Sequence, residues 1–205
     1  MKKYKAFIDS AWVSAENGEE ISIINPSNGK SFACIPRCTQ KEVNLAVKSA
    51  RNSYENYWKN IPGSERGRYL SKISEIVREN IQELAKIESE DTGKPLKQSI
   101  VDANVAARYF EYYSGAADKI HGQSIPFDSD YQVFTIREPY GVTGHIIPWN
   151  YPLQMSARSI AATLAAGNTM IIKPAEEACL SVIRLFEIIL DTGLPYEIIN
   201  LVTGY

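Results

Sequence analysis

Two short stretches of the sequence carry polar side chains where ligands commonly bind. Each follows an apolar, strand-like run and precedes a helix-like run: Ile147-Pro148-Trp149-Asn150 and, one strand later, Lys173-Pro174-Ala175-Glu176. In open sheets of parallel strands, ligands bind in the crevice at the carboxyl ends of the strands. Asn150 offers a neutral amide donor, whereas Lys173 and Glu176 offer an ammonium donor and a carboxylate acceptor. The sequence therefore predicts a binding crevice formed by these two turns.

Each of these residues also has an ordinary structural explanation. Asn is common at helix starts, so Asn150 could cap the helix that begins near Pro152. Lys173 could be a solvated strand end, and Glu176 could be a first-turn carboxylate that the helix dipole stabilises. Trp149 suits a cofactor cleft and an apolar core equally well. Taken one at a time, these residues leave both explanations open.

Other common catalytic and metal-binding patterns are missing from the sequence. No G-x-G-x-x-G turn follows a strand, and there is no Walker loop, G-x-S-x-G elbow or H-E-x-x-H pair. The odd set of Cys34, Cys38 and Cys179 indicates neither a disulfide framework nor a zinc site, so we expect no metal and a reducing, cytoplasmic location. Cys179 lies on the first turn of a predicted helix, which favours thiolate formation, but a buried thiol is the preferred interpretation.

Composition excludes several classes of protein. The 205 residues include 22 Lys+Arg and 24 Asp+Glu, and 44% are hydrophobic, which is typical of a globular chain. A net charge of −2 lacks the basic field expected of a nucleic-acid or anionic-membrane binder. The longest stretch without charged residues, 139–157, contains three prolines, so we expect no transmembrane helix.

The first half of the chain predicts short strands followed by long amphipathic helices. Strands are expected at 4–8, 21–24 and 31–36, separated by Asn-Gly turns. Thr39 and Glu42 form a capping box that starts the first helix. Apolar residues at helical spacing predict a second helix from about residue 64 to Thr92-Gly93 and a third that Pro95 opens.

After Gly115 the pattern changes to that of an α/β fold. A strand is predicted at 131–137, and then strands at 142–147, 169–173 and 198–202 alternate with helices at 152–166 and 179–191. Short apolar strands alternating with helices predict a parallel sheet with right-handed crossovers. We therefore expect an incomplete doubly wound, Rossmann-like sheet. The strand at 198–202 should lie at an open edge with exposed apolar surface, as part of a larger fold.

The two stretches resemble motifs of the NAD(P)-dependent aldehyde dehydrogenase superfamily. Residues 148–152 match its P-W-N-[FY]-P motif, and residues 165–176 match A-A-G-N-x-x-x-x-K-P-[AS]-E. The resemblance extends back through 91–95 and 138–142 and covers essentially the whole chain. Two long motifs in the right order at family-like spacing make it specific.

The resemblance implies roles for the residues of both stretches. Asn150 matches the asparagine whose amide binds the oxyanion of a thiohemiacetal formed from an aldehyde and a catalytic cysteine. Lys173 and Glu176 match the residues that hold the adenosine ribose hydroxyls of the cofactor. The carboxylate of Glu176 would repel a 2′-phosphate, so NAD is favoured over NADP. The remaining cofactor-cleft residues are Ile147, Pro148, Trp149, Pro174 and Ala175.

The resemblance also implies what this sequence does not supply. The family's catalytic cysteine and general-base glutamate match no residue of the chain, so we expect residues 1–205 to be an incomplete NAD(P)-binding domain that lacks the catalytic domain and is inactive alone. Residues 122–139 are expected to be the strand region of an oligomerisation hairpin. The expected partners are a small aldehyde and either a second copy or the missing half. The alternative is a non-enzymatic interaction or dinucleotide-binding module that pairs with a full-length relative.

One position departs from the family pattern. Where many members carry a lysine on the helix after P-W-N, this chain has Arg158-Ser159. The resemblance implies a proton-handling role for that lysine, and this sequence has no lysine at that place. The run from Tyr151 to Ser159 is most similar to members that act on betaine-type or aromatic aldehydes.

Overall fold

Five short strands form the amino-terminal part of the protein, whose computed structural model describes all residues, Met1–Tyr205. They are β1 (Lys2–Lys3), β2 (Ala6–Ile8), β3 (Ala11–Val13), β4 (Glu20–Asn25) and β5 (Lys30–Pro36). Strands β4 and β5 pair antiparallel across an Asn-Gly turn, and Gly29 has φ 67° there. The side chain of Asn28 accepts a hydrogen bond from Lys30 N, so the predicted turn chemistry is confirmed.

Four helices follow. They are α1 (Gln40–Asn56), α2 (Gly63–Glu79), α3 (Ile81–Thr92) and α4 (Leu96–Ala116). The capping box at the start of α1 is confirmed. The Glu42 carboxylate accepts a hydrogen bond from Thr39 N, and the Thr39 side chain accepts one from the backbone of the first helical turn. The single helix predicted from about residue 64 to Thr92 is wrong, because the backbone leaves helical geometry at Asn80. There Asn80 N donates to the carbonyl of Val77, the shorter-range bond typical of a helix end, and the Asn80 side-chain amide donates to the carbonyl of Ile76.

The second half alternates strands and helices as predicted. Strand β8 (Val142–Ile147), helix α5 (Pro152–Ala165), strand β9 (Thr169–Pro174), helix α6 (Leu180–Leu190) and strand β10 (Ile199–Leu201) follow one another. Strands β8, β9 and β10 pair in parallel, which confirms the α/β fold class. The strand predicted at 131–137 is much shorter, because only β7 (Val133–Phe134) pairs with β6 (Ser124–Ile125).

The predicted position of the last strand is wrong. Strand β10 lies inside a five-stranded sheet of order β3-β2-β10-β9-β8, because the amino-terminal hairpin returns and adds to it. Leu201 pairs antiparallel with Phe7, and the buried side chain of Asn200 accepts a hydrogen bond from Asp9 N at 3.0 Å. The expected exposed apolar surface is absent, since Ile198 is fully buried.

Helices cover both faces of this sheet. Alternate strand residues point to opposite sides. On one side Ile171 of β9 packs with Ala46 and Ala50 of α1. On the other side Met170 and Ile172 belong to the main core with residues of α5 and α6. At the far edge, β8 pairs only with β9, and Ile146 is exposed there. None of the helices is long and apolar enough to cross a membrane.

The carboxylate of Glu42 should make stability depend on pH. Burial opposes its charge, but hydrogen bonds from Glu16 N, Thr39 N and the Thr39 hydroxyl lower its pKa to about 2, from 4.5. Its stabilising contribution is therefore present above pH 4.5 and is lost as the pH falls through 2. We expect Glu42→Gln to reduce the free energy of unfolding by ~3 kcal/mol at pH 7.

Urea unfolding at several pH values between 3 and 7 measures this effect. The matched control is Glu79→Gln, since Glu79 is exposed at the end of α2. The difference between the two variants should shrink as the solution is acidified. A difference that is constant with pH would contradict the assigned role of the Glu42 charge.

Candidate functional site

Parallel pairing brings the two predicted stretches together. In the register of β8 and β9, Ile146 lies opposite Lys173 and Ile147 lies opposite Pro174. Both strands therefore end at the same level, and the two turns that follow them are neighbours at the carboxyl edge of the sheet. This is the position at which open parallel sheets bind ligands.

The turn after β8 presents its polar groups outward. Ile147 is buried, whereas Trp149 is 65% exposed and Asn150 is also exposed. Helix α5 begins at Pro152 with Tyr151 as its N-cap residue and without a side-chain cap. Asn150 is therefore not a helix cap, and its amide makes no hydrogen bond within the chain. The core explanation of Trp149 is also wrong, since most of the ring faces solvent.

The turn after β9 holds an ion pair. Lys173 Nζ lies 3.0 Å from Glu176 Oε2, and both side chains are about three-quarters buried, with exposures of 22% and 25%. A hydrogen bond from its own backbone N–H and the Lys173 charge lower the pKa of Glu176, while burial opposes them. Pro174 and Ala175 between them are buried. The two charged groups are thus held as a unit, unlike freely solvated side chains.

A cavity of about 610 Å³ lies beside these turns. Trp149 and Glu176 line it together with strand β4 residues 21–24, the end of α3 and Tyr205. Asn150 and Lys173 are not among its lining residues. The cavity therefore includes only part of the predicted crevice, at Trp149 and Glu176.

Asp91, at the end of α3, is a buried acid at this cavity. Its Oδ2 accepts a hydrogen bond from Leu180 N at 2.8 Å, so it caps helix α6 from outside that helix. Its Oδ1 has no hydrogen-bond partner. Burial raises its pKa from 3.8 to about 7, and the nearby charge of Glu88 adds to the increase. Sequence reasoning assigned no role to this residue.

A buried ion cluster beneath the first turn was also missed. Lys94 Nζ lies 2.9 Å from Glu88 Oε1 and 2.8 Å from Asp102 Oδ2, and it donates to the carbonyl of Asn150 at 2.9 Å. Burial raises the pKa of Glu88, whereas the charge of Lys94 opposes that increase. Lys94 belongs to the stretch 91–95 that resembles the family, so the sequence marked the segment without indicating its contacts.

Asn168, from the second motif, fixes the opposite ends of both strands. It is buried, and its Oδ1 accepts a hydrogen bond from Gly141 N at 3.0 Å. Gly141 and Gly167 have φ values of 97° and 86°, which only glycine adopts without strain. The motif's Gly-Asn pair thus joins the start of β9 to the start of β8.

The cysteines and histidines do not form a reactive centre. All three cysteines are free thiols. Cys179 is fully buried, and burial raises the pKa of its thiol well above 9.0, which favours the buried-thiol interpretation. His145 is half-buried between the hydroxyls of Thr143 and Thr163, each 3.0 Å from Nε2.

The sequence profile of the aldehyde dehydrogenase family matches residues 12–205 of this chain. The chain belongs to the aldehyde dehydrogenase family. Among curated relatives of this chain, retinal dehydrogenase 2 of Homo sapiens is 40% identical over 208 aligned residues. Betaine aldehyde dehydrogenase of Bacillus subtilis strain 168 is 42% identical over 202. The alignments include 100% and 97% of this chain but 40% and 41% of those proteins, so the chain spans about 40% of their length.

Solved structures of other aldehyde dehydrogenases have the same fold. One of these structures, from Burkholderia cenocepacia, aligns with a TM-score of 0.95 and 50% identity. The alignment covers 98% of this chain and 42% of the Burkholderia chain. Betaine aldehyde dehydrogenase of Staphylococcus aureus, solved in complex with NAD+, aligns with a TM-score of 0.94 and 34% identity, covering 98% and 41%. The family and the Rossmann-like fold expected from the motifs are confirmed.

Removing the Asn168 side chain should destabilise the strand starts that it joins. In Asn168→Ala the buried amide of Gly141 would lose its acceptor, which costs about 1–3 kcal/mol of unfolding free energy. Urea denaturation measures the change. Asn104→Ala is the matched control, because Asn104 is exposed and bonds only within its own helix. Equal stability of the two variants would show that the Asn168 contact contributes little.

Proposed function

We propose that this chain forms the adenosine side of the cofactor cleft of an NAD-dependent aldehyde dehydrogenase and supplies its oxyanion donor. The observation that carries the proposal is the adjacency of the two turns at the carboxyl ends of β8 and β9. One turn presents an unbonded amide, and the other presents the paired Lys173 and Glu176. Related structures that contain NAD+ support the choice of cofactor.

Lys173 and Glu176 suit the hydroxyls of a ribose. An ammonium group donates hydrogen bonds and a carboxylate accepts them, so together they match a vicinal diol, whose hydroxyls do both. Their mutual ion pair keeps both groups in place before a ligand arrives. The negative charge of Glu176 disfavours a 2′-phosphate, so the proposal specifies NAD, with NADP as the weaker ligand. Ile147, Pro148, Trp149, Pro174 and Ala175 shape the cleft around them.

Asn150 is the group that would act in the reaction itself. Its exposed amide makes no hydrogen bond within the chain, so its N–H remains available to an oxygen that becomes negative during attack on an aldehyde. Removing one such donor from an oxyanion hole typically lowers turnover by about 10²–10³-fold. NAD bound in the cleft supplies the hydride acceptor of the overall oxidation of an aldehyde to a carboxylate.

The chain alone is proposed to be inactive. Cysteine-based aldehyde oxidation needs an accessible thiolate, and low thiol pKa values occur at exposed, electropositive positions. Cys34 and Cys179 are buried, and burial raises the thiol pKa of Cys34, Cys38 and Cys179. The nucleophile and general base are therefore assigned to the portion of the relatives that this chain does not span. The relatives' names do not agree on one aldehyde, so the substrate class remains a small aldehyde.

Calorimetry with NAD tests the cofactor assignment. We expect the chain to bind NAD more tightly than NADP. Glu176→Gln should weaken NAD binding by roughly 10–100-fold, because a charge-assisted hydrogen bond is lost, and should narrow the preference over NADP. Glu197→Gln, which changes an exposed carboxylate that does not line the cavity, is the matched control. Equal NAD affinity of the two variants would exclude Glu176 from the ribose site.

A second role as an assembly surface has its own support. The hairpin region 122–139 exposes large apolar side chains, namely Ile125, Phe127, Tyr131, Phe134 and Ile136, at 40–73%. Contiguous exposed apolar residues on a short two-stranded sheet indicate a protein-protein contact. We propose that this hairpin pairs the chain with a second copy or with a full-length relative.

Light scattering after size-exclusion chromatography tests the assembly role. Replacing Phe127, Phe134 and Ile136 by serine should shift the molar mass towards that of a monomer, because the apolar contact is removed. Leu45→Ser is the control, since Leu45 is an exposed apolar residue on α1, away from the hairpin. An unchanged mass in the triple variant, or a monomeric unmodified chain, would contradict a self-associating hairpin.

A further inference from the structure

The ion cluster beneath the Asn150 turn makes contacts beyond those between its own charged groups. We call Glu88, Lys94 and Asp102 the anchor cluster. Its members come from α3, from the loop after α3 and from α4, respectively. The side chains of Glu88 and Asp102 are fully buried, and that of Lys94 is 13% exposed. Buried charges are costly to desolvate, so such a cluster persists only when its donors and acceptors are well matched.

The ammonium of Lys94 uses all three of its donors. One hydrogen bond goes to Glu88 Oε1 at 2.9 Å, one to Asp102 Oδ2 at 2.8 Å, and one to the carbonyl of Asn150 at 2.9 Å. A lysine has three N–H donors and no acceptor, so this set is complete. The third bond is the only one that reaches the functional turn.

The cluster holds the turn at two further points. The Lys94 ammonium lies 4.5 Å from the centre of the Tyr151 ring. Glu88 Oε2 accepts from Leu153 N at 3.1 Å, in the first turn of α5, and from the Ser181 hydroxyl at 2.7 Å. Contacts to residues 150, 151 and 153 therefore bind the turn to α3 and to the loop that follows it. The turn has no regular secondary structure of its own between Pro148 and Tyr151.

We propose that Lys94 is a positioning residue that acts through the main chain of Asn150. By holding the Asn150 carbonyl, it fixes the backbone from which the unbonded side-chain amide projects, and so directs that amide into the cleft. This inference rests on the proposed role of Asn150 as oxyanion donor. The Asn150 carbonyl accepts the third N–H of the ammonium, so all three donors of Lys94 are satisfied only when the turn is in this position.

The decisive variant removes the charges without removing the volume. In Glu88→Gln/Lys94→Met/Asp102→Asn the cluster is uncharged and nearly isosteric, so no unpaired charge is left buried. Asp102→Asn alone is the matched control, because Lys94 keeps Glu88 and the Asn150 carbonyl as partners. Circular dichroism and thermal unfolding establish that both variants are folded.

Local order of the turn is the readout. With ¹⁵N relaxation, we expect backbone order parameters near 0.85 for Asn150 and Tyr151 in the unmodified chain and the control. In the triple variant they should fall below about 0.6, while those of β9 stay unchanged. Amide hydrogen exchange at Leu153 should accelerate at least tenfold, by our estimate for a lost cluster of protecting contacts. A folded triple variant with an ordered turn would overturn the proposal.

A charge-conserving variant keeps the test decisive if the triple variant does not fold. Lys94→Arg retains the positive charge, but a planar guanidinium cannot direct its donors to the same three acceptors. We expect the Asn150 turn to lose order in Lys94→Arg as well. An ordered turn in that variant would show that charge alone is required and would overturn the positioning role.

The same samples separate this inference from the proposed function. NAD titration of the unmodified chain tests cofactor binding, whereas turn order tests Lys94. Absence of NAD binding together with a Lys94-dependent turn would contradict the function and support the positioning role. NAD binding together with a turn whose order does not depend on Lys94 would support the function and contradict the positioning role.

Discussion

The register of β8 on β9 is the constraint on which the site depends. Parallel strands that end at the same level place their following turns side by side, and here that level is set by the pairing of Ile147 with Pro174. Asn168 fixes the opposite end of the pair through its bond to Gly141 N. A shift by one residue would turn every side chain of β8 to the other face and separate Asn150 from the Lys173 turn.

Buried carboxylates hold the irregular segments that the sheet leaves unsupported. Turns expose main-chain polar groups, and buried ones need partners. Glu42 accepts from the backbone of Glu16 and Thr39, Asp91 from Leu180 N, and Glu88 from Leu153 N. In each case an acid on one element serves the backbone of another. The helical layer is thus coupled to the carboxyl edge of the sheet through hydrogen bonds as well as apolar packing.

Local sequence signals predicted local structure well. The capping box at Thr39, the strand 142–147 and the strand-turn-helix context of Asn150 all depend on neighbours within a few residues, and the structure has each of them. Proximity of the two turns also followed, because parallel strand ends meet at one edge. The break at Asn80 was missed because apolar residues at helical spacing continue from α2 into α3, so the periodicity alone did not mark the boundary.

Long-range pairings could not be predicted from the same signals. The position of β10 depends on Phe7, and the anchoring of Asn150 depends on Lys94, which are distant in sequence from their partners. No periodicity records such contacts. For this reason the prediction of an open edge at residues 198–202 was wrong. The pairing also has a kinetic consequence: Asp9 bonds a residue 191 positions later, so during synthesis the β2–β3 hairpin completes its sheet only after β10 has been made. An isolated two-stranded hairpin is marginally stable, and closing such a long loop slows folding. The β2–β3 hairpin therefore cannot reach its native environment before β10 is in place.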